Sequence, residues 1–221
     1  SAEVARFLLD QGAQVIVVAC NTASVAALHH LRERFPGTPF VGMEPAVKPA
    51  AETTHTGRVG VLATPATFQG RLYASLVERF ASGVQLFQNT CPGLVAEIEA
   101  GRLDGSETRR ILESALRPML AEGIDAVVLG CTHYPFDIPL IEEIVGPQVR
   151  VIDPAPAVAR QLGRVLDSRG LRAEGPAGLP RFITSGQPEI FAASLRQLLD
   201  LHSPVEKAVW NGYQLSLDQP E

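Results

Sequence analysis

The sequence predicts an α/β protein of two pseudo-symmetric domains, each a parallel sheet flanked by helices, with the active site in the cleft between them. Runs of β-branched residues alternate with stretches of helical periodicity along most of the 221 residues, a pattern typical of parallel sheets covered on both faces. Two stretches also resemble each other, because residues 12–22 and 123–132 each lead from a glycine through an apolar run to a cysteine. This internal similarity indicates two related halves.

The first domain is predicted to open with a helix over residues 1–11, which Gly12 ends. The β-branched run at 15–19 predicts a strand that is buried on both faces. A helix at 23–34 and a short strand at 40–43 follow. After its opening helix, this domain therefore contains one strand–helix–strand unit.

The second domain is predicted from a longer series of alternating elements. Its strands are predicted at residues 58–63, 84–88, 126–129, 149–152 and 182–184. Its helices are predicted at residues 68–80, 94–98, 107–122, 138–145 and 155–168. Such alternation is typical of a parallel sheet with helical crossovers.

Two connections divide the chain. Residues 44–56 contain two prolines and a short predicted helix, and residues 170–180 are rich in Gly and Pro. We therefore assign residues 1–43 with 186–221 to the first domain and residues 44–185 to the second.

The carboxyl-terminal region is predicted to contain one further helix, at residues 188–201, because Pro188 suits the first turn of a helix. The tail from His202 is predicted to be irregular. We expect Trp210 and Tyr213 to pack onto the body of the protein.

Composition and charge exclude several classes of partner. The net charge of −5 is spread along the sequence without a basic run, so we expect no nucleic-acid partner. No apolar stretch reaches the roughly 18 residues that span a bilayer and no signal peptide is visible, so we expect no membrane partner. Three cysteines without disulfide-framework spacing favour free thiols in a reducing cytoplasm. A homodimer is compatible with the sequence, which does not specify the oligomeric state.

Cys20 and Cys131 are the strongest candidates for chemistry. Each follows a predicted strand, at the edge of the sheet where ligands bind in open α/β folds. Each also precedes a helix, whose positive amino-terminal end stabilises a thiolate. Cysteines otherwise often fill core space, and Cys91, which precedes a proline and has no acid–base neighbour, is predicted to do so.

His133 lies two positions after Cys131, where an imidazole can accept or return the thiol proton. The remaining histidines are predicted to be surface or packing residues (His29, His30, His55 and His202). A zinc site needs three or four ligands, and nothing is spaced to complete one with the cysteines, so no metal is predicted. A Cys–His hydrolase and a redox protein are the alternative uses of these thiols.

Two thiols facing each other across a cleft suit a racemase. One thiolate removes the α-proton of an amino acid, and the opposite thiol delivers a proton to the other face. The pKa of a thiol, about 8.5 in an unperturbed setting, leaves both protonation states reachable. Hydroxyls and amides beside the cysteines can hold the carboxylates of the substrate.

The two cysteine motifs carry a resemblance to a known family. Residues 19–23 read ACNTA and residues 129–135 read LGCTHYP, and both resemble the cysteine motifs of the glutamate racemase family, within the aspartate/glutamate racemase superfamily. The resemblance covers nearly the whole chain. It implies an enzyme without a cofactor that interconverts L- and D-glutamate, the D-enantiomer being used in bacterial peptidoglycan.

The resemblance also implies roles for individual residues. Cys131, assisted by His133, is expected to be the base that acts on L-glutamate, and Cys20 the base that acts on D-glutamate. The residues expected to bind the substrate are Asn21, Thr22, Thr64, Thr67, Glu99 and Thr132. Thr64 and Thr67 match a Gly-Thr-x-Gly-Thr loop of the family in the threonines alone, since alanines stand at 63 and 66.

The sequence departs from the family pattern at its beginning. Family members start with a strand ending in Asp-Ser-Gly and a Pro-Tyr-Gly loop, and neither occurs before Cys20. We therefore expect an amino-terminally truncated first domain and weak or absent racemase activity. Two other functions stay open: a sister activity on aspartate or a related acid, and a remnant of the fold that binds an acidic ligand without turnover.

Overall fold

A computed structural model describes residues 1–176 and 178–218 of the chain. The strands are β1 (Ile16–Val18), β2 (Phe40–Gly42), β3 (Arg58–Ala63), β4 (Gln85–Asn89), β5 (Ala126–Gly130), β6 (Arg150–Ile152), β7 (Phe182–Thr184), β8 (Val205–Asn211) and β9 (Gln214–Leu217). The α-helices are α1 (Ala2–Asp10), α2 (Asn21–Arg34), α3 (Val47–Thr53), α4 (Pro65–Phe68), α5 (Arg71–Phe80), α6 (Leu94–Glu99), α7 (Ser106–Ala121), α8 (Ile138–Val145), α9 (Ala155–Arg169) and α10 (Pro188–Leu199). A 3-10 helix, Tyr134–Asp137, precedes α8.

Two parts of the sequence predictions lie outside the described residues. They are position 177 of the predicted loop and positions 219–221 of the predicted first domain. Within the described ranges, none of the helices is both long and apolar enough to cross a membrane.

The largest sheet has the strand order β4-β3-β5-β6, and all neighbouring strands in it are parallel. All residues of β5 are buried, and alternate side chains enter two different cores. Val127 and Leu129 pack against residues of α6, α7 and α8, whereas Ala126 and Val128 pack against residues of α3 and α5. Helices therefore cover both faces of this sheet, as the continuous apolar runs of the sequence predict.

The first domain contains β1 and β2 as a parallel pair, in which Ile16 lies opposite Phe40. A separate core joins these two residues to Leu28 and Leu31 of α2 and to Ala5 of α1. Since Leu28 and Leu31 are three residues apart, they share one helix face. The helix that connects the two strands therefore packs directly on them.

The unit β1–α2–β2 has the same element order as β5–α8–β6 in the larger sheet. In both units a cysteine follows the first strand, and the second strand runs parallel beside the first. The predicted α/β architecture with two pseudo-symmetric halves is thereby confirmed. The assignment of chain ranges to the two domains stays a prediction.

The carboxyl-terminal tail differs from its prediction. The irregular tail expected from His202 is wrong, because β8 pairs in parallel with β7 and in antiparallel with β9. Residues 214–217 alternate polar and apolar side chains, and an Asn-Gly pair at 211–212 precedes them, which is a hairpin signal. Trp210 and Tyr213 are 48% and 91% exposed rather than packed on the body.

The helix predicted over residues 68–80 is also interrupted. The helix α4 ends at Phe68 and α5 begins at Arg71, with Gly70 between them. A Cβ atom on Gly70 would overlap the side chain of Val25 in α2. The glycine therefore permits the chain to pass close to α2, where it brings the loop after β3 beside the loop after β1.

Candidate active site

Cys20 lies between β1 and α2, as the N-cap residue of the helix. Its sulfur accepts a hydrogen bond from the backbone N–H of Ala23, at 3.5 Å. The first N–H groups of a helix have no partner within the helix and carry partial positive charge. The local sequence therefore places an exposed thiol where a negative charge is stabilised.

Cys131 follows β5 at the equivalent place, and its environment is different. It is 7% exposed, and burial is the main reason why the pKa of its thiol is raised. The backbone N–H groups of His133 and Tyr134 donate to the sulfur and lower this pKa, whereas a negative charge on Cys20 raises it. The sulfur of Cys20 is thus close enough for its charge to act on the Cys131 thiol.

The glycine before Cys131 has a packing reason. A Cβ atom on Gly130 would lie 2.7 Å from Cβ of Ala63 and 3.1 Å from the carbonyl oxygen of Leu62, in the neighbouring strand β3. Such approaches leave no room for a side chain. Because residue 130 is glycine, Cys131 leaves the sheet beside the loop that follows β3.

An acid–base chain extends outward from Cys131. Its sulfur lies 3.8 Å from Nδ1 of His133, and Nε2 of the same imidazole lies 3.0 Å from Oε1 of Glu99. Glu99 is the last residue of α6, so a separate element of the fold supplies the carboxylate. Such an arrangement orients the imidazole and lets it exchange a proton with the thiol. In the structure, the Glu99 carboxylate contacts His133. Direct binding of substrate by Glu99 stays a prediction.

Three threonine hydroxyls form a cluster between the loops that follow β1 and β3. Oγ1 of Thr22 lies 2.7 Å from Oγ1 of Thr64 and 3.2 Å from Oγ1 of Thr67, and the last two are 3.0 Å apart. Thr64 also caps α4 by accepting from the backbone N–H of Thr67. The structure therefore brings Thr22 together with Thr64 and Thr67, which lie 42 and 45 positions further along the chain.

Asn21 and Thr132 are the remaining predicted site residues. Asn21 is 1% exposed, and neither polar atom of its amide has a hydrogen-bond partner among the described residues. An unsatisfied buried amide is costly and often marks a site that a ligand or water completes. Thr132 lines two cavities, of about 690 and 210 Å³, beside the segment that follows β5.

Those two cavities are lined by different parts of the site. The larger one lies between His133 with Glu99 on one side and α10 on the other. The smaller one is lined by Cys131, together with Met43 from the end of β2 and Asp153 from the end of β6. Openings therefore lie next to both the imidazole and the buried thiol.

Sequence reasoning missed two residues of the 3-10 helix that follows His133. The hydroxyl of Tyr134 donates to the carbonyl oxygen of Thr90 at 3.2 Å, which joins this 3-10 helix to the segment before α6. Asp137 is 1% exposed, has no partner for its carboxylate among the described residues, and burial raises its pKa to about 7. A charged residue inside the apolar stretch 134–141 is the signal that could have drawn attention to Asp137.

Predictions for the other candidate residues can be compared directly with the structure. Cys91 is buried, as predicted, and burial raises the pKa of its thiol to about 12. The histidines predicted to be outside the site are exposed (His29, His30, His55 and His202). No group of three or more His, Cys, Asp or Glu side chains in residues 1–176 and 178–218 could hold a metal ion.

Residues 1–162 match the Asp/Glu/Hydantoin racemase family. A glutamate racemase from Pseudomonas aeruginosa is 57% identical over 183 residues, which are 83% of this chain and 69% of that protein. One from Roseiflexus is 46% identical over 211 residues, which are 95% of this chain and 78% of that protein.

Solved structures agree with the sequence comparison. The glutamate racemase isoform RacE1 of Bacillus anthracis superposes with a TM-score of 0.81 at 29% identity, over 93% of this chain and 77% of that one. The Escherichia coli glutamate racemase, solved with L-glutamate and an activator, gives a TM-score of 0.79 at 30% identity, over 96% and 80% of the two chains. With its two matched cysteine loops and this extent of similarity, the chain belongs to the Asp/Glu/hydantoin racemase family.

Proposed function

We propose that the chain is a glutamate racemase that interconverts L- and D-glutamate by two-base proton transfer, without a cofactor. The observation that carries the proposal is the pair Cys20 and Cys131, which lie at equivalent positions after two parallel strands, with a charge on Cys20 raising the pKa of Cys131. The relatives named above, all of them glutamate racemases, support glutamate as the substrate. The Escherichia coli relative was solved with L-glutamate bound.

The reaction is balanced within the pair of thiols. The thiolate of Cys131 takes the α-proton of L-glutamate, and the thiol of Cys20 then gives a proton to the opposite face of the same carbon. The enzyme is left with Cys131 protonated and Cys20 ionised, which is the form that acts on D-glutamate. No oxidant or other co-reactant is consumed.

The two halves support their cysteines in different ways. Cys20 has the amino-terminal end of α2, and its sulfur accepts from the N–H of Ala23. Cys131 is buried, so its thiolate depends on local donors and on His133, which Glu99 orients. An N–H at Nδ1 of His133 donates to the sulfur and stabilises the thiolate of Cys131, while the proton balance of the reaction stays within the two thiols.

The threonine cluster is suited to receive a substrate carboxylate. Thr22, Thr64 and Thr67 hydrogen bond to one another, and each hydroxyl can rotate to donate to an anion. Hydrogen bonds to a carboxylate are stronger than those between neutral groups. These donors also stabilise the charge that spreads onto the carboxylate when the α-proton leaves. We assign the remaining polar contacts to the substrate to the Asn21 amide and the Thr132 hydroxyl.

The setting of this activity follows from the same chemistry. The D-glutamate produced supplies bacterial peptidoglycan. The three cysteines of the chain are free thiols, which suits a reducing cytoplasm. Assembly as a homodimer stays a prediction.

The test is circular dichroism of L-glutamate and, separately, D-glutamate incubated with concentrated protein and no added cofactor. We expect the optical signal of both enantiomers to decay to zero, and the variants C20A and C131A to abolish the decay. L-Aspartate, incubated in parallel, is expected to keep its signal.

Two outcomes would overturn the proposal in favour of another function. Heat of D-glutamate binding in calorimetry, without loss of optical purity, would indicate a binding protein without turnover. Racemisation of aspartate in preference to glutamate would indicate a sister racemase.

A further inference from the structure

The carboxyl-terminal end of α6 is contacted by a side chain of α10. Beyond Glu99 the helix is closed by backbone bonds, in which the N–H of Gly101 donates to the carbonyl of Ile98 and the N–H of Arg102 to that of Glu97. Gly101 has a φ of +68°, the left-handed conformation usual for the residue that ends a helix. This closure leaves the carbonyl of Ala100 free to accept a hydrogen bond from another element.

A side chain of α10 occupies that position. Nε2 of Gln197 donates to the carbonyl oxygen of Ala100 at 3.4 Å. The same amide lies against Gly101 so closely that a Cβ atom on the glycine would overlap it. The position of the Gln197 amide therefore depends on the absence of a side chain at residue 101.

The two helices that meet here are opposite walls of the cavity beside His133. Ala96 and Glu99 line it from α6, and Ile190 and Ser194 line it from α10. Gln197 lies three residues after Ser194, so it belongs to the helix face that is turned toward α6. Contact between Gln197 and Ala100 thus fixes the spacing of the two walls one residue away from Glu99.

We propose that Gln197 is a positioning residue, which holds the end of α6 so that the Glu99 carboxylate stays against Nε2 of His133. The proposal rests on the proposed racemase function, since His133 serves Cys131 in that reaction. Gln197 is exposed and its hydrogen bond competes with water, so its contribution is severalfold and not of many orders of magnitude.

The kinetic test is a double-mutant cycle of Gln197 with Glu99. We expect Q197A to lower kcat about three- to tenfold with KM within about twofold, because turnover needs the aligned imidazole. In the E99A background, Q197A should cause no further loss, since its effect passes through Glu99. The matched control is R196A, the neighbouring exposed residue of the same helix, which should leave kcat unchanged. Q197E, which keeps the size and replaces the donor by an acceptor, should reproduce Q197A.

A second measurement does not require activity. Imidazole ¹⁵N chemical shifts of His133, assigned with H133N, should move in Q197A toward their values in E99A and stay at the wild-type values in R196A. Equal losses from Q197A in both backgrounds, or wild-type shifts in folded Q197A and Q197E, would overturn the positioning role. If the wild-type chain does not racemise glutamate but the shifts move as expected, the proposed function fails while the positioning of Glu99 stands.

Discussion

The hydroxyl oxygens of Thr22 and Thr64 lie 2.7 Å apart, and this contact joins the first turn of α2 to the loop after β3. The two residues are 42 positions apart and belong to the two predicted domains. Thr67 closes the group at 3.2 and 3.0 Å. A substrate carboxylate bound here would be held by both of these loops at once.

Removing one hydroxyl of this cluster should weaken binding of glutamate. We expect T64V to raise KM about tenfold and to change kcat less, because valine keeps the shape of threonine and loses a donor to a charged group. Steady-state kinetics in both directions measure the effect. T38V, at the turn before β2, serves as the control, and a KM within about twofold of wild type for T64V would argue against this carboxylate site.

Loss of the imidazole should slow the half of the reaction that uses Cys131. Because the enantiomers are equally stable in water, kcat/KM must fall equally in both directions, and we expect about a hundredfold loss for H133N and about tenfold for E99Q. The primary isotope effect of α-deuterated L-glutamate should increase, since removal of its proton by Cys131 becomes slower. A larger increase with D-glutamate instead would assign His133 to the other cysteine.

The pH dependence should be the same in both directions. Each direction starts from a pair of thiols with one negative charge, and the two forms differ only in which sulfur carries it. Burial and a charge on Cys20 both raise the pKa of Cys131, so the second ionisation, which destroys the active form, is displaced upward. We expect kcat/KM to be maintained past about pH 8.5, the pKa of an ordinary thiol. A decline of kcat/KM below that pH would be inconsistent with this coupling.

The buried carboxyl of Asp137 should make the protein less stable at alkaline pH. Burial raises its pKa to about 7, above the value of about 3.9 for an unfolded chain. Its contribution to stability is therefore fully present below about pH 4 and is lost as the pH rises through about 7. We expect the free energy of unfolding of D137N, measured by urea denaturation, to exceed that of wild type by about 2 to 4 kcal/mol at pH 8. At about pH 4 the two free energies should be equal.

The control for Asp137 is D104N, an exposed aspartate that lines the same surface cavity. Its unfolding free energy should follow that of the wild type at both pH values. If D137N has no advantage at pH 8, the Asp137 carboxylate must find a partner when it ionises.

Local sequence was sufficient to predict the fold class and the positions of the two candidate cysteines relative to their strands. β-branched runs and helix-ending glycines indicate the alternating elements, and Cys20, Cys131 and His133 follow a strand directly. Their neighbours in sequence are also their neighbours in space, because the chain has no room to diverge within two or three residues. The hairpin of β8 and β9 had an equally local signal, the Asn-Gly pair, which was overlooked.

Contacts between distant segments could not be predicted in the same way. His133 meets Glu99 only because α6 packs against the 3-10 helix, and the two residues are 34 positions apart. The contact of the Gln197 amide with Ala100 and Gly101 depends on how α10 packs beside α6. The burial of Asp137 could not be predicted either, because no hydrophobic pattern of period 2 or 3.6 indicates that a carboxyl group will be buried without a partner.

Solvent deuterium incorporation tests the central claim, that each cysteine serves one face of the α-carbon, most directly. L- and D-glutamate are incubated in D₂O with wild type, C20A and C131A, and the α-position is followed by NMR. We predict that wild type labels both enantiomers, that C131A labels D-glutamate alone and that C20A labels L-glutamate alone, with no interconversion in either variant. Continued racemisation by a single-cysteine variant, or labelling of the opposite enantiomer, would contradict the assignment of Cys131 to L-glutamate and Cys20 to D-glutamate.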